Sequence, residues 1–397
     1  MGCKATIGEL CSRVCSGGTP RRNIAEFYDG GTIPWLNTSE ISFNRIRKTE
    51  QHITEAGLND SSAKWIRENS VIVAMYGATA GKAAIAKIPL TTNQACCNLE
   101  INEEVADYRY IYYWFKNQYS HVLGLANGGA QQNLSAKTIR TLEVELPSLM
   151  RQQQTANLLS SIDDKIEFNG RLNGYLLELA KARLSNLAYK ENPLGMVSVG
   201  SFAATMTNGS TPSRKKPDYW EGGSIPWVKT GEVNNNLLFK TNEHITELAL
   251  AETSVHLLPK NTVVMALYGS GTAGRLAILQ EKATTNQACT AMVCRTPSQA
   301  FYLFLTLQGM YREIDSKTRG SVQQNLSKDI VASLMIPAVT EDLLGEIRLC
   351  DIYDQVRANE YESLQLASLR DALLPKLMSG EIDVSKIDPT QLNSHLA

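Results

Sequence analysis

Two glycine-rich strings are the first candidates for chemistry. GATAGK at Gly77 to Lys82 and GSGTAGR at Gly269 to Arg275 resemble loops that wrap a phosphate in backbone N–H groups. The first is one residue short between its glycines and has Ala83 where a hydroxyl would hold magnesium. The second has Arg275 for the lysine and Leu276 after it. Nucleotide binding is therefore not expected, and a tight glycine turn that sets Lys82 or Arg275 near an anion fits better. His52 and His244 each open a HITE segment without a Ser or Cys nucleophile motif beside it, so both read as structural. Asp218 and Glu221 are matched by Asp29 but by no second acid at Gly30 or Thr32, and read as turn residues rather than metal ligands. Asn192-Pro193-Leu194-Gly195 fails as the Asn/Asp-Pro-Pro-aromatic motif of an adenine methyltransferase. The eight cysteines form no CxxC pair and no Cys/His cluster at zinc spacing, and read as reduced cytosolic thiols packed as small apolar residues. MGCKAT matches a myristoylation pattern through Gly2 and Thr6, a chance match at this length. No run approaches the roughly 20 apolar residues of a membrane span. A cytoplasmic protein with no membrane partner, no metal and no catalytic group of its own is the expectation.

What positions these residues is a repeat at an offset of 192 residues. Ile33-Pro34-Trp35 returns as Ile225-Pro226-Trp227, HITE at His52 returns at His244, and QQNLS at Gln131 returns at Gln323. TTNQAC at Thr91 returns one residue late at Thr284, because one extra residue enters between Gly77 and Thr79. With 397 residues and 43% hydrophobic content, the chain suits two such domains, each with its own core. IPWLNTSEI, SVIVAMYG and TLEVELP read as strands, and DYRYIYYWFKNQYSHVLGLA as a helix with Tyr112, Phe115, Tyr119 and Leu123 on one face.

After each domain the period turns helical for a long stretch. Leu158, Leu159, Ile162, Ile166, Leu172, Leu176, Leu179 and Leu187 mark the first stripe, on a helix of up to roughly 60 Å. Gly170 and Gly174 interrupt it and imply either close helix contact or a bend. The second helix is expected to start after Thr340, with Glu341 and Asp342 in its first turn, and to end or kink at Pro375. A shift of 190 places Ile162 on Ile352 and Leu179 on Leu369. The two helices should bury their stripes against each other as a coiled coil, the alternative being that each packs on its own domain. The expected division is a first domain over residues 1–148, a central helix over 149–190, a second domain over 191–339, a distal helix over 340–380 and a tail over 381–397.

Net charge is −1, which argues against a free-standing, electrostatically driven nucleic-acid binder. The total hides a split, +5 over the first 340 residues against −6 in the remainder. The basic part suits phosphate contact and the acidic end a protein partner.

These parts resemble the specificity subunit of a type I restriction and modification system over essentially the full length. The carrying residues are GGTPRRNIAEFYDGGTIPW and NGSTPSRKKPDYWEGGSIPW, the paired QQNLS segments, and the ending LRDALLPKLMSGEI. The resemblance implies a mixed α+β chain of two target recognition domains separated by two long antiparallel helices. Each domain would read one half of a bipartite, asymmetric double-stranded DNA target. Two methyltransferase subunits would dock on the helical frame, with restriction and translocase subunits joining through them. S-adenosylmethionine, ATP and magnesium would belong to those partners, with no cofactor in this chain. The rival readings are a scaffold whose doubled domains bind protein or small ligands, and an enzyme with an unrecognised site.

If the two domains read different words, residues identical in both cannot supply the difference, so IPW, TTNQ and QQNLS are expected to be scaffold or common backbone contacts. Phosphate contacts position and base contacts specify. Phosphate candidates are the shared basic positions, Arg22 with Arg214 and Lys82 with Arg275, and their neighbours Arg21, Lys215 and Lys216. Base-reading candidates are polar positions that differ beside shared landmarks. Asn37 and Ser39 become Lys229 and Gly231, Ala78 and Thr79 become Ser270, Gly271 and Thr272, and Asn127 faces Arg319.

Overall fold

The strands fall where β-branched and aromatic runs are bounded by Gly, Pro and Asn. In this computed structural model, which describes residues 3–127, 133–189, 194–269, 271–319 and 326–386, both halves of the chain build the same five-stranded sheet beside a smaller one. In the first half, Cys11–Ser16, Cys96–Ile101, Val71–Ala74, Ala83–Ala86 and Asn44–Ile46 lie side by side in that order. Gln51–Ile53, Ile33–Leu36, Leu90–Thr92 and Trp65–Ile66 form a second sheet. The second half repeats the five-stranded order with Thr205–Asn208, Cys289–Val293, Val263–Ala266, Leu276–Leu279 and Asn236–Leu238. Its smaller sheet is Glu243–Ile245, Ile225–Val228 and Thr284–Thr285. Cys3–Thr6 pairs with Glu143–Leu146, and Met196–Ser198 with Met335–Pro337, so each domain closes beginning to end. Parallel pairs, such as Asn44–Ile46 on Ala83–Ala86, stand among antiparallel ones, which makes the sheets mixed.

Strand periodicity explains the core. Val71–Ala74 is buried on both faces. Val71 and Val73 pack with Tyr110, Tyr112, Trp114 and Phe115 of the helix Tyr108–Asn117. Ile72 and Ala74 face the other way, onto Leu36, Ile41 and Ile46. Burying each of these large side chains stabilises by roughly 1.5–3 kcal/mol. Asp107 caps that helix by accepting from the Arg109 and Tyr110 amides. The single helix expected over DYRYIYYWFKNQYSHVLGLA is instead two, Tyr108–Asn117 and Tyr119–Asn127, separated at Gln118.

The long helices are Leu149–Tyr189 and Leu349–Ser379. Three expectations about them need correction. The distal helix does not start after Thr340. Thr340 caps a short helix, Glu341–Glu346, and Arg348, at a positive φ of 54°, turns the chain before the long helix begins. Of the two outcomes expected at Pro375, an end or a kink, the end is ruled out, for the helix continues to Ser379. Gly170 and Gly174 do not mark a close helix contact, since both are exposed and a Cβ on either would meet nothing within 4 Å, and the helix runs through them.

The chain divides into two compact units, residues 1–165 with 366–397, and residues 166–365, so each long helix is shared between both. In the first unit, Ala156, Leu158 and Leu159 of the central helix and Leu374 and Leu377 of the distal helix join the domain core. Asp163 and Arg370 pair at 2.6 Å, and Tyr113 donates to Asp163 at 2.5 Å. Burial works against the Arg370 charge, but the bonds to Asp371 and Asp163 outweigh it and hold the guanidinium protonated. In the second unit, Ala180, Ile352, Tyr353 and Val356 join the other core, and Arg183 donates to the Ile347 carbonyl at 2.7 Å. Within each unit the helices run antiparallel and bury their stripes both on each other and on the domain. Leu179 and Leu369, counted on the apolar stripes, are each 42% exposed. No helix among the described residues is long and apolar enough to cross a membrane.

Candidate nucleic-acid interface

The residues shared by both domains hold the frame. Trp35 is fully buried and donates its indole N–H to the Gly18 carbonyl at 2.9 Å. Trp227 does the same to Ser210 at 3.0 Å. Thr91 and Thr284 each donate to the carbonyl of the proline in IPW, at 2.9 Å. Leu134 and Leu326 bond through their amides to Met75 and Leu267 at 2.9 Å, and Ser135 and Ser327 cap the short helices that follow. Of the rest of QQNLS, Asn133 is exposed, and Gln131, Gln132, Gln323, Gln324 and Asn325 lie outside the described residues. Threonines of HITE, Thr54 and Thr246, cap helices too, while His52 and His244 are exposed opposite Pro34 and Pro226.

On this frame both domains raise an arginine over an aromatic platform. Arg22 lies 4.8 Å from the Trp35 ring and 5.3 Å from Tyr28, and donates to Gln51 at 3.0 Å. Arg214 lies 3.5 Å from Trp220 and 5.0 Å from Trp227, and pairs with Glu243. Stacking fixes the guanidinium plane while leaving its edge in solvent, a geometry suited to a phosphate or a guanine edge. Register puts Gln51 opposite Trp35 and Glu243 opposite Trp227, so the partner is supplied by the same ladder position in each domain.

Of the other candidates, the structure brings Lys229 to a platform. Asn37 accepts from Asn93 at 2.6 Å, whereas its counterpart Lys229 reaches Glu243 at 2.5 Å. Structure thus joins Lys229 and Arg214 through one carboxylate. The Lys229 bond foremost, then Arg214, holds Glu243 below the usual carboxylate range against the opposing effect of burial. Thr79 donates to the Thr38 carbonyl at 2.8 Å, tying the glycine turn to the loop that carries Asn37 and the exposed Ser39. In that turn Gly81, at φ 79°, packs beneath Val122 and Tyr119. Lys82 is half-buried and has no ion-pair partner among the described residues. Arg275 donates to Asn234 at 2.7 Å. Arg21 and Lys215 are exposed, and Lys216 is held by Tyr219 at 2.9 Å and Glu252 at 3.6 Å. Ser270 lies outside the described residues, as do the side chains of Asn127 and Arg319.

Gln51 and Glu243 escaped the sequence reading. Their signal was present: they immediately precede the shared His-Ile-Thr-Glu segments and differ in charge. The thiols behave as small apolar groups where described, with Cys96, Cys97 and Cys289 buried and burial pushing Cys97 and Cys289 up to about 12.

The model of the type I restriction modification DNA specificity domain matches residues 4–176 and again 194–341. The chain belongs to this family. The type I specificity subunit MjaIX of Methanocaldococcus jannaschii is 25% identical over 96% of this chain and 93% of its own. The EcoR124I/EcoR124II specificity subunit of Escherichia coli is 28% identical over 40% of each chain. The crystal structure of the type I S subunit from M. genitalium has the same fold, with a TM-score of 0.59, 17% identity and coverage of 95% of this chain and 96% of that one. As a type I specificity subunit, the chain serves DNA recognition within a restriction-modification complex. Its two matched segments are the repeated domains, each extended into the long helix that follows the first or the strand that closes the second.

Proposed function

We propose that each domain reads one half of a bipartite, asymmetric DNA target and that the antiparallel helices set the unread spacer between the halves. One observation carries this reading: the same stacked arginine stands in both domains, Arg22 on Trp35 and Arg214 on Trp220 and Trp227, beside neighbours that differ, Gln51 and Asn37 against Glu243 and Lys229. A shared cation positions the backbone, and unlike polar neighbours specify different bases. Half-sites read from one face of the duplex recur about 34 Å apart, within the reach of a helix of about 60 Å.

The chain acts without chemistry of its own, in the cytoplasm with the host DNA. S-adenosylmethionine, ATP and magnesium work in partner subunits. Two equivalent grooves support the docking of two methyltransferase subunits, through which restriction and translocase subunits join. In the first unit Tyr110, Trp114, Pro375 and Met378 line a cavity of about 570 Å³. In the second, Tyr302, Thr306, Ser185 and Leu343 line one of about 530 Å³, and Tyr302 is the repeat of Tyr110.

The test is salt titration of DNA binding by the chain reconstituted with methyltransferase subunits. Log affinity should fall linearly with log salt, and alteration of either half-target should abolish specific binding. A scaffold protein would show no target-dependent binding, and methylation or cleavage by the chain alone would establish an enzyme instead.

A further inference from the structure

Three asparagines lie where the helix pair should be apolar. Asn169, Asn173 and Asn359 are 2%, 7% and 5% exposed, on the faces that the central and distal helices turn towards each other within the second unit. All three amides bond across the interface, and that of Asn359 also bonds along its own helix. Asn169 Nδ2 lies 2.6 Å from Glu362 Oε2 and 3.3 Å from both Ser363 Oγ and the Asn359 carbonyl. Asn359 Nδ2 donates to Asn173 Oδ1 at 2.7 Å, and Asn173 Nδ2 donates to the Val356 carbonyl at 3.1 Å. Gln355 completes the set by donating to Asn359 Oδ1 at 2.8 Å.

The arrangement follows the repeat. The shift of 190 carries Asn169 onto Asn359 and Asn173 onto Ser363, so the Asn169–Ser363 contact and the Asn359–Asn173 contact are the same contact with the helices exchanged. A cluster with this symmetry closes at one alignment of the two helices. Leucines along a seam can slide by a turn and find other leucines. Amides that slide leave buried donors and acceptors unpaired, which an apolar interface tolerates poorly. Buried asparagine is the residue type that coiled coils use to specify alignment at some cost in stability.

We propose that Asn169, Asn173 and Asn359 lock the helix pair in register and are thereby specificity-determining residues, setting the spacer length rather than either half of the target. This rests on the reading that the helices are the spacer. Residues that touch no DNA would then decide which sites are recognised, because a slip of one turn moves one helix about 5.4 Å along the other.

The test replaces the cluster with leucine, N169L/N173L/N359L, in the full chain within the reconstituted complex. N359L alone is the milder variant, keeping both backbone acceptors. Spin labels carried by unnatural amino acids at the exposed positions Arg171 and Tyr361 report register as a distance. The expected result is a second distance population displaced by about one turn, with a thermal midpoint equal to or above the parent's in the triple variant and below it in N359L, which leaves the buried Asn173 Oδ1 without its donor. A single parental distance in both variants overturns the lock. Sequencing of methylated adenines in a host carrying the variant should show targets with intact halves and more than one spacer. Split distances with one unchanged spacer would leave the lock standing and sink the spacer reading itself.

Discussion

At the scale of single residues, the shared motifs are explained by close approach more than by contact with DNA. Gly17 illustrates it: an added Cβ would lie 2.2 Å from the Thr92 carbonyl oxygen, and Gly209 repeats the collision at 2.2 Å from Asn286. Backbone cannot yield as a flexible side chain does, so Gly17→Ala should destabilise the first domain by roughly 1–3 kcal/mol, as overpacking does. Denaturant unfolding of the variant checks this, and a loss below ~0.5 kcal/mol would contradict the packing account. Arg22 is different in kind, since its guanidinium is exposed over Trp35. Arg22→Ala should weaken DNA binding about equally for all sequences and reduce the salt slope by about 1. A change confined to one base position would move Arg22 from phosphate contact to base readout. The stacked pairs also show why Gln51 and Glu243 were legible only as a charge difference beside a shared segment, not as partners of the arginines. Nothing in a strand's own pattern tells which side chain across the ladder its neighbours will meet.

Among the elements, the helices were the most legible by type and the least by boundary. Their apolar period is local and repeats many times, so noise at single positions averages out. The boundaries depend on single torsions: Arg348 ends one helix and starts another through a positive φ that its residue type does not announce. The same limit hid the polar seam, because Asn169 and Asn359 look like solvent positions until the partner helix covers them. Next to that seam, burial pushes Glu360 from its usual 4.5 to about 7. The folded state therefore keeps a proton that the unfolded state releases. Its contribution to stability is full below pH 4.5 and lost as pH rises through about 7. Glu360→Gln should flatten that loss and exceed the parent in stability above pH 7. Thermal midpoints across pH 4 to 8 decide, and parallel curves for the two proteins would refute it.

For the whole molecule, duplication is the organising fact. The two domains share topology strand for strand in the five-stranded sheet, and one family model matches both. Exchanging residues 16–148 for the equivalent segment of another specificity subunit should change one half of the target and leave the other half intact. Methylome sequencing reads this directly, and changes in both halves would refute a domain-by-domain code.

The sequence by itself determined the duplication, the mixed α+β class, the two long helices and the family resemblance, because each is written as a pattern repeated along the chain or between its halves. Tertiary structure alone decided what lies across an interface. It set Arg214 and Lys229 on one carboxylate, turned Gly170 and Gly174 to solvent, divided each helix between two compact units, and buried three asparagines against one another. The physical reason is that local pattern records which face of an element is apolar, whereas register and partner are set by the packing of distant elements, where one unpaired amide outweighs many interchangeable leucines.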